Sequence, residues 1–337
     1  MSSQAEPTRP GYRRPTSTVL PIRKRIGSAA ATRIAPHLRS HRSASRLLIW
    51  YFVATLPLAL AGLWRSEDTS ERLGAWLSLL GVSLAAALLW EGVFARYKSV
   101  PVDPTWFTAA WLFALLLPGS TPLWLAGVAI SFGLLIGHHI FGGLGRTLVH
   151  PALLGVLFVH FGYPSVGAVA DFGPVSSDGY WPGHFVSHPG ATLASASALA
   201  CLGGALVLVR TGAASWRTLL GGLLGTALAG GLGNVLAETG SLAAQPWYWH
   251  LVVGNLAFGI VFLATDPSTA ALTRPGRWFH GLVAGSLTVL IRLMDPAHPD
   301  GALFAILLAG LSVPVMDYLV VRLHVARRER RILSHGR

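Results

Sequence analysis

Charged residues are scarce in this chain. Only 12% of its 337 residues are Asp, Glu, Lys or Arg, about half the share of an ordinary soluble domain. With 52% hydrophobic residues and a positive mean hydropathy, the composition excludes a soluble fold. Cysteine is scarcer still: Cys201 is the single one. It excludes an internal disulfide, and alone it cannot ligate an iron–sulfur cluster, which needs about four ligands. Cys201 therefore reads as packing, no metal ligand set is expected in this chain, and a metal centre belongs to another subunit or is shared with one. A Rossmann glycine fingerprint is missing too, which leaves nicotinamide binding to a partner. No secretory signal is read at the N-terminus.

Long apolar runs are abundant. They recur at 47–64, 73–95, 105–118, 121–137, 148–163, 190–209, 218–237, 247–264, 278–292 and 301–320. A helix needs roughly 20 residues to cross about 30 Å of hydrocarbon, so the expected fold is an all-α polytopic membrane protein with about ten transmembrane helices. The third to fifth runs are short and bounded by turn signals such as Pro118-Gly119-Ser120-Thr121-Pro122, so eight or nine crossings are the alternatives. The net charge of +12 could point to nucleic acid, but its placement points to a membrane. With both termini in the cytoplasm, only Arg65, Arg72 and Arg292 fall outside, together with Glu67, Asp68, Glu71, Asp171, Asp178, Glu238, Asp295 and Asp300. That is the segregation of basic residues expected of a plasma-membrane protein.

The expected organisation is a flexible basic cytoplasmic arm at 1–46, a transmembrane domain at 47–320, and a basic cytoplasmic tail at 321–337. Ten spans with both ends on one side divide into halves of five, here about 47–163 and 190–320 with an outer loop at 164–189, and five per half makes the halves inverted. Weak internal similarity supports the repeat. Ala114 to Pro122 resembles Val261 to Thr269, and Pro151 to Phe158 resembles Gly301 to Leu308. Helix ends rich in Pro and Gly at matching places, 118–122 and 264–269, are then the expected walls of a central site.

Ionisable residues within hydrocarbon cost roughly 2.5–3.5 kcal/mol and mark functional positions. Glu91 and Asp317 lie near inner helix ends and Arg292 near an outer one, where snorkelling or interhelical pairing accounts for them. Thr265-Asp266-Pro267 ends a span beside a proline that frees backbone carbonyls; it can bind a cation or a flavin edge, or simply form a turn. The 13 histidines sit in tails, in loops or near helix ends. They show no repeated mid-helix pairing of the kind that ligates haem.

The membrane-proximal motifs, read in order, resemble a known family. Ala35 to Arg46, Gly137 to Gly145 (GHHIFGGLG) with His150-Pro151-Ala152, Ser215-Trp216-Arg217, Phe262 to Thr269 (FLATDPST), Gly276-Arg277 to Ile291-Arg292, Phe304 to Leu307, Pro314 and Asp317 follow the D subunit of the Rnf electron-transport complex and the B subunit of the sodium-pumping NADH:quinone oxidoreductase. The resemblance runs from about Ala35 to Tyr318. It departs where His138 stands for a lysine, Thr147 and His150 for asparagines, and Gly310 for an asparagine.

The resemblance implies a urea-transporter-like fold and bound FMN, in many members joined by a phosphoester to a threonine in a Ser-Gly-Ala-Thr motif on the outer face. The matching segment here is Pro189-Gly190-Ala191-Thr192, with Pro189 in place of serine and a shortened segment before it. Thr192 is the candidate attachment residue, with Gly190 and Ala191 as its neighbours; its plain reading is a polar residue capping a helix start. Thr265, Asp266, Gly142, Gly143 and Gly145 are the other candidate cofactor-binding residues. The implied function is a flavin-binding membrane subunit that passes electrons across or along the bacterial inner membrane, with coupling to ion movement left open. Its implied partners are other subunits of a membrane redox complex, a flavin transferase and a periplasmic FMN protein. A non-redox transporter of the same fold and a membrane scaffold are the rival readings.

Overall fold

The computed structural model describes residues 44–64, 69–99, 102–143, 147–167, 185, 192–236, 245–294 and 301–335. The fold lies in one compact unit, Ser43–Arg337. The elements are α1 (Ala44–Trp64), α2 (Thr69–Lys98), α3 (Thr105–Leu116), α4 (Leu123–Leu134, continued by a π-helical turn Leu135–His139), α5 (Pro151–Gly162), α6 (Pro164–Gly167), α7 (Ala198–Thr211), α8 (Trp216–Leu236), α9 (Trp249–Val252), α10 (Leu256–Phe258, continued by a π-helical turn Gly259–Leu263), α11 (Arg274–Met294) and α12 (Gly301–His335). Among the described residues there is no strand.

Among the described residues, four helices are long and apolar enough to cross a membrane: Arg46–Trp64, Thr69–Lys98, Trp216–Val235 and Gly301–Arg331. Their outward faces are apolar. Leu220, Leu224, Leu228 and Leu232 form an exposed stripe at four-residue spacing along α8, a surface that suits lipid and not water. The adjacent face of α8 carries Gly221 and Gly225, pressed against α11. A Cβ at Gly225 would stand 2.2 Å from the Leu282 carbonyl oxygen, and one at Gly281 would stand 2.1 Å from that of Thr218. Small residues let backbones approach in this way where lipid removes the hydrophobic drive for association.

The interior is built on short elements. α3 is almost wholly buried; Trp111 on it packs edge-on against Phe52 of α1 and Trp76 of α2, with ring centroids at 4.7 and 5.3 Å. Its indole N–H donates to the Thr55 hydroxyl at 2.8 Å. Leu117 then turns extended, as a residue before proline does, and ends the helix. The run expected at 247–264 is likewise broken: Val253 is extended and Gly254 takes φ 70°. The carbonyls freed there are not left bare. Arg292 of α11, 3% exposed, donates Nη1 to the His250 carbonyl at 2.7 Å and Nη2 to that of Val253 at 2.8 Å. Arg292 is thus an interior clamp on irregular backbone, and not a side chain snorkelling outward.

Asp317, expected to snorkel or to pair between helices, pairs with backbone ahead of a neighbouring helix. Its carboxylate accepts from the Leu272 and Thr273 backbone N–H groups at 2.7 and 3.1 Å, satisfying free amides ahead of α11.

Candidate functional site

Two of the expected site segments meet. The loop after α4 and the segment after the α10 π turn are joined by the Thr147 hydroxyl, which donates to the Ser268 carbonyl at 3.0 Å. Thr265 and Asp266 lie at this junction, 2% and 6% exposed. The Tyr51 hydroxyl of α1 donates to the Thr265 carbonyl at 2.9 Å and lies 3.1 Å from the Thr265 hydroxyl, which itself donates to the Val261 carbonyl at 2.6 Å. Asp266 accepts from the Ser268 N–H at 3.2 Å and from the Ser268 hydroxyl, a turn closed by its own side chain. His150, at the N-cap of α5, accepts from the Ala152 N–H on Nδ1 at 3.2 Å.

A cavity of about 340 Å³ is lined by Glu91, Phe94, Lys98, Asp103, His138, His139, Gly142 and Gly143 among others. Gly142 and Gly143 have φ 107° and 93°, a region that L side chains rarely enter, so the loop can fold back under the cavity only with glycine there. Gly145 lies outside the described residues. Asp103, in the loop before α3, accepts from the Thr105 hydroxyl at 2.6 Å and sits 3.4 Å from His138 Nε2. Burial disfavours its charge, but these hydrogen bonds outweigh burial and hold its pKa down to about 2. Glu91 Oε1 accepts from the Asp103 N–H at 2.7 Å.

The sequence separated Glu91, read as snorkelling or pairing between helices, from His138 and His139, read as helix-end residues without repeated mid-helix pairing. The structure brings the three together, 2–6% exposed. In an α-helix, consecutive side chains diverge. The π turn at Leu135–His139 widens the spiral there, and such turns recur at functional sites.

Thr192 stands elsewhere. It is 1% exposed, and its hydroxyl donates to Asn255 Oδ1 at 3.2 Å, lies 3.0 Å from the Ser195 hydroxyl and accepts from the Ser195 N–H at 3.3 Å. The Ala194 N–H donates to the Leu115 carbonyl at 2.9 Å, so segment 192–197 is tied to the end of α3. The expected helix start at 190 is displaced: α7 begins at Ala198, and its cap is Ser197, whose hydroxyl accepts from the Ala200 N–H at 3.2 Å. Thr192 is therefore neither a helix cap nor a surface hydroxyl. Gly190 and Ala191 lie outside the described residues. Between Asn255 and Thr265 run α10 and its π turn, roughly 12 Å of helix, which sets Thr192 apart from the Thr265–Asp266 junction.

Flavin needs room, and the cavity lined by His150, Leu263, His280, Ile306 and Gly310, between α5 and α12, has a volume of about 10 Å³, enough for about one water. Neither that cavity nor the buried Thr192 hydroxyl fits FMN in this conformation.

Comparison with known proteins adds to this geometry. Residues 31–325 match the model of the NQR2, RnfD, RnfE family. The B subunit of the Na(+)-translocating NADH-quinone reductase of Chromohalobacter salexigens is 33% identical over an alignment covering 91% of this chain and 89% of that protein. The protein of the same name from Azotobacter vinelandii is 31% identical, covering 89% and 90%, and that from Neisseria meningitidis serogroup B is 29% identical, covering 90% of each.

Proposed function

The chain belongs to the NQR2, RnfD, RnfE family, a multi-pass membrane subunit of an Nqr- or Rnf-like complex, and on that footing we propose that it carries electrons through a flavin, FMN, held within the bacterial inner membrane. The observation that carries this reading is the match over nearly the whole chain to relatives named as subunits of a sodium-translocating NADH–quinone reductase. Coupling to ion movement belongs to the same reading. FMN would supply the redox chemistry when bound.

The proposed architecture is ten crossings in two inverted halves, both termini cytoplasmic. Supporting it, α2 packs on α3 and α4, and α4 on α5, while α8 packs on α10's π turn and α11, and α11 on α12. The order of partners repeats between the halves. Basic arms at 1–46 and 321–337 and an outer loop at 164–189 complete the arrangement. In intact cells, cysteine placed at 178 should label and cysteine at 335 should not; the reverse pattern overturns the orientation.

Thr192 is proposed as the attachment residue only with a conformational step, since segment 192–197 must release its hydroxyl from Asn255 and Ser195 before a transferase can reach it. The test is in-gel flavin fluorescence of the chain co-expressed with a flavin transferase. Fluorescence abolished by Thr192→Ala supports attachment there. Flavin extracted intact by denaturation removes Thr192 and points to a noncovalent pocket. A preparation without flavin favours the second reading, a transporter without redox chemistry, which the buried Thr192 hydroxyl supports. Partner subunits, a flavin transferase and a periplasmic FMN protein are the assembly this reading predicts.

A further inference from the structure

One ligand-type atom from each of Glu91, His138 and His139 lies within 4.8 Å of the other two. We propose that these residues bind a first-row divalent transition-metal ion of the zinc class, one ring nitrogen from each imidazole and Oε2 from the carboxylate, with a further position open to the adjoining cavity of about 340 Å³.

The separations favour an ion over direct contact. His139 Nε2 and Glu91 Oε2 are 3.7 Å apart, too far for a hydrogen bond. Two ligands on the edge of a tetrahedron with bonds of about 2.1 Å stand roughly 3.4 Å apart. Glu91 Oε2, His138 Nδ1 and His139 Nε2 are moreover buried without a hydrogen-bond partner. Carboxylate and imidazole atoms left so are costly in a protein interior, and a shared cation satisfies all three.

The surrounding groups hold these side chains in place. Asp103 stands at His138 Nε2, 3.4 Å away, the carboxylate–histidine pairing that orients metal-bound imidazoles. The Asp103 N–H fixes Glu91 Oε1 at 2.7 Å, leaving Oε2 to the ion. The His139 ring stacks on Phe94, centroids 4.2 Å apart and planes within 7°. Lys98, the cation lining the cavity, is engaged elsewhere: its ammonium donates to the His139 carbonyl at 3.0 Å and lies 5.1 Å from the Phe94 centroid. Two carboxylates, Glu91 and Asp103, face the ion's two charges. Two imidazoles and one carboxylate suit zinc or ferrous iron and disfavour magnesium and calcium, which take oxygen ligands.

The proposal stands on this geometry and not on the flavin reading, so the two fail separately. The full chain, purified through a tag without histidine and stripped with chelator, is titrated with Co2+ while visible absorption is followed, then with Zn2+ in competition. One Co2+ per chain, displaced by Zn2+ and not by Mg2+ or Ca2+, is expected. Glu91→Gln and His139→Gln should each weaken binding at least tenfold, and His324→Gln, an exposed residue of α12, should not. Since the variants could simply misfold, thermal unfolding is read alongside: Zn2+ should raise the midpoint of the unaltered chain and leave that of Glu91→Gln unmoved. Binding unchanged in Glu91→Gln and His139→Gln, or no uptake by a chain that elutes as a folded species, overturns the proposal.

Discussion

The helix pairs α2–α4 and α8–α11 make contrasting contacts. Along α8–α11, Gly221, Gly225, Gly281 and Gly285 bring the backbones so close that a Cβ at any of them would stand 2.1–2.5 Å from a carbonyl oxygen across the crossing. Along α2–α4 the approach is looser. Gly127 of α4 would meet only the Val82 side chain of α2 at 3.3 Å, while Gly74, Gly81 and Gly92 of α2 are exposed and have nothing within 4 Å of a built Cβ. One pair is closed by backbone contact. The other parts, at the C-terminal end of α2, into the cavity of Glu91, Asp103, His138 and His139. Lipid supplies no hydrophobic force to press helices together, so close packing and polar chemistry are placed in different pairs.

The largest effect expected from breaking that contrast is at the tight crossing. Gly225→Val should cost about 3 kcal/mol or more, since overpacking a rigid site costs about 1–3 kcal/mol and here the obstacle is backbone. Detergent-solubilised protein should then elute as aggregate in size-exclusion chromatography. Arg292→Met comes next. It leaves the His250 and Val253 carbonyls without their charged donor, a loss of about 3 kcal/mol given roughly 1.5–3 kcal/mol for each hydrogen bond to a charge, read as a lowered unfolding midpoint. Gly143→Ala should be milder for stability, about 1–2 kcal/mol for a side chain at positive φ, but should reduce activity of the assembled complex because the loop forms the cavity's edge. Gly92→Ala should be neutral or stabilising by up to about 1 kcal/mol. A destabilised Gly92→Ala would show that α2 is packed as tightly as α8.

Much of the fold was legible because lipid imposes a simple rule on sequence. Every expected apolar run contains helical residues, although among the described residues only four helices are both long and apolar enough to span. The resemblance drawn from short motifs such as Gly142-Gly143 and Thr265-Asp266 was confirmed by the family match over residues 31–325. What the runs could not reveal is where helices break. Thr192 to Ser197 reads as the start of a span, yet is irregular backbone held by Asn255 through Thr192 and by Leu115 through Ala194. The break at Val253–Asn255 depends on Arg292, distant in sequence. His138 and His139 were set aside as helix-end residues with no repeated mid-helix pairing; the π turn at Leu135–His139 carries both, and a local widening of the helix leaves no periodicity to read.

Isolation of the intact complex through this chain, followed by visible spectroscopy on adding NADH and then quinone, tests the central claim most directly. The account predicts co-purifying redox subunits and a yellow flavin spectrum, including flavin released from or attached to this chain, that NADH bleaches and quinone restores. A folded chain that brings down no redox subunit and carries no flavin would contradict it.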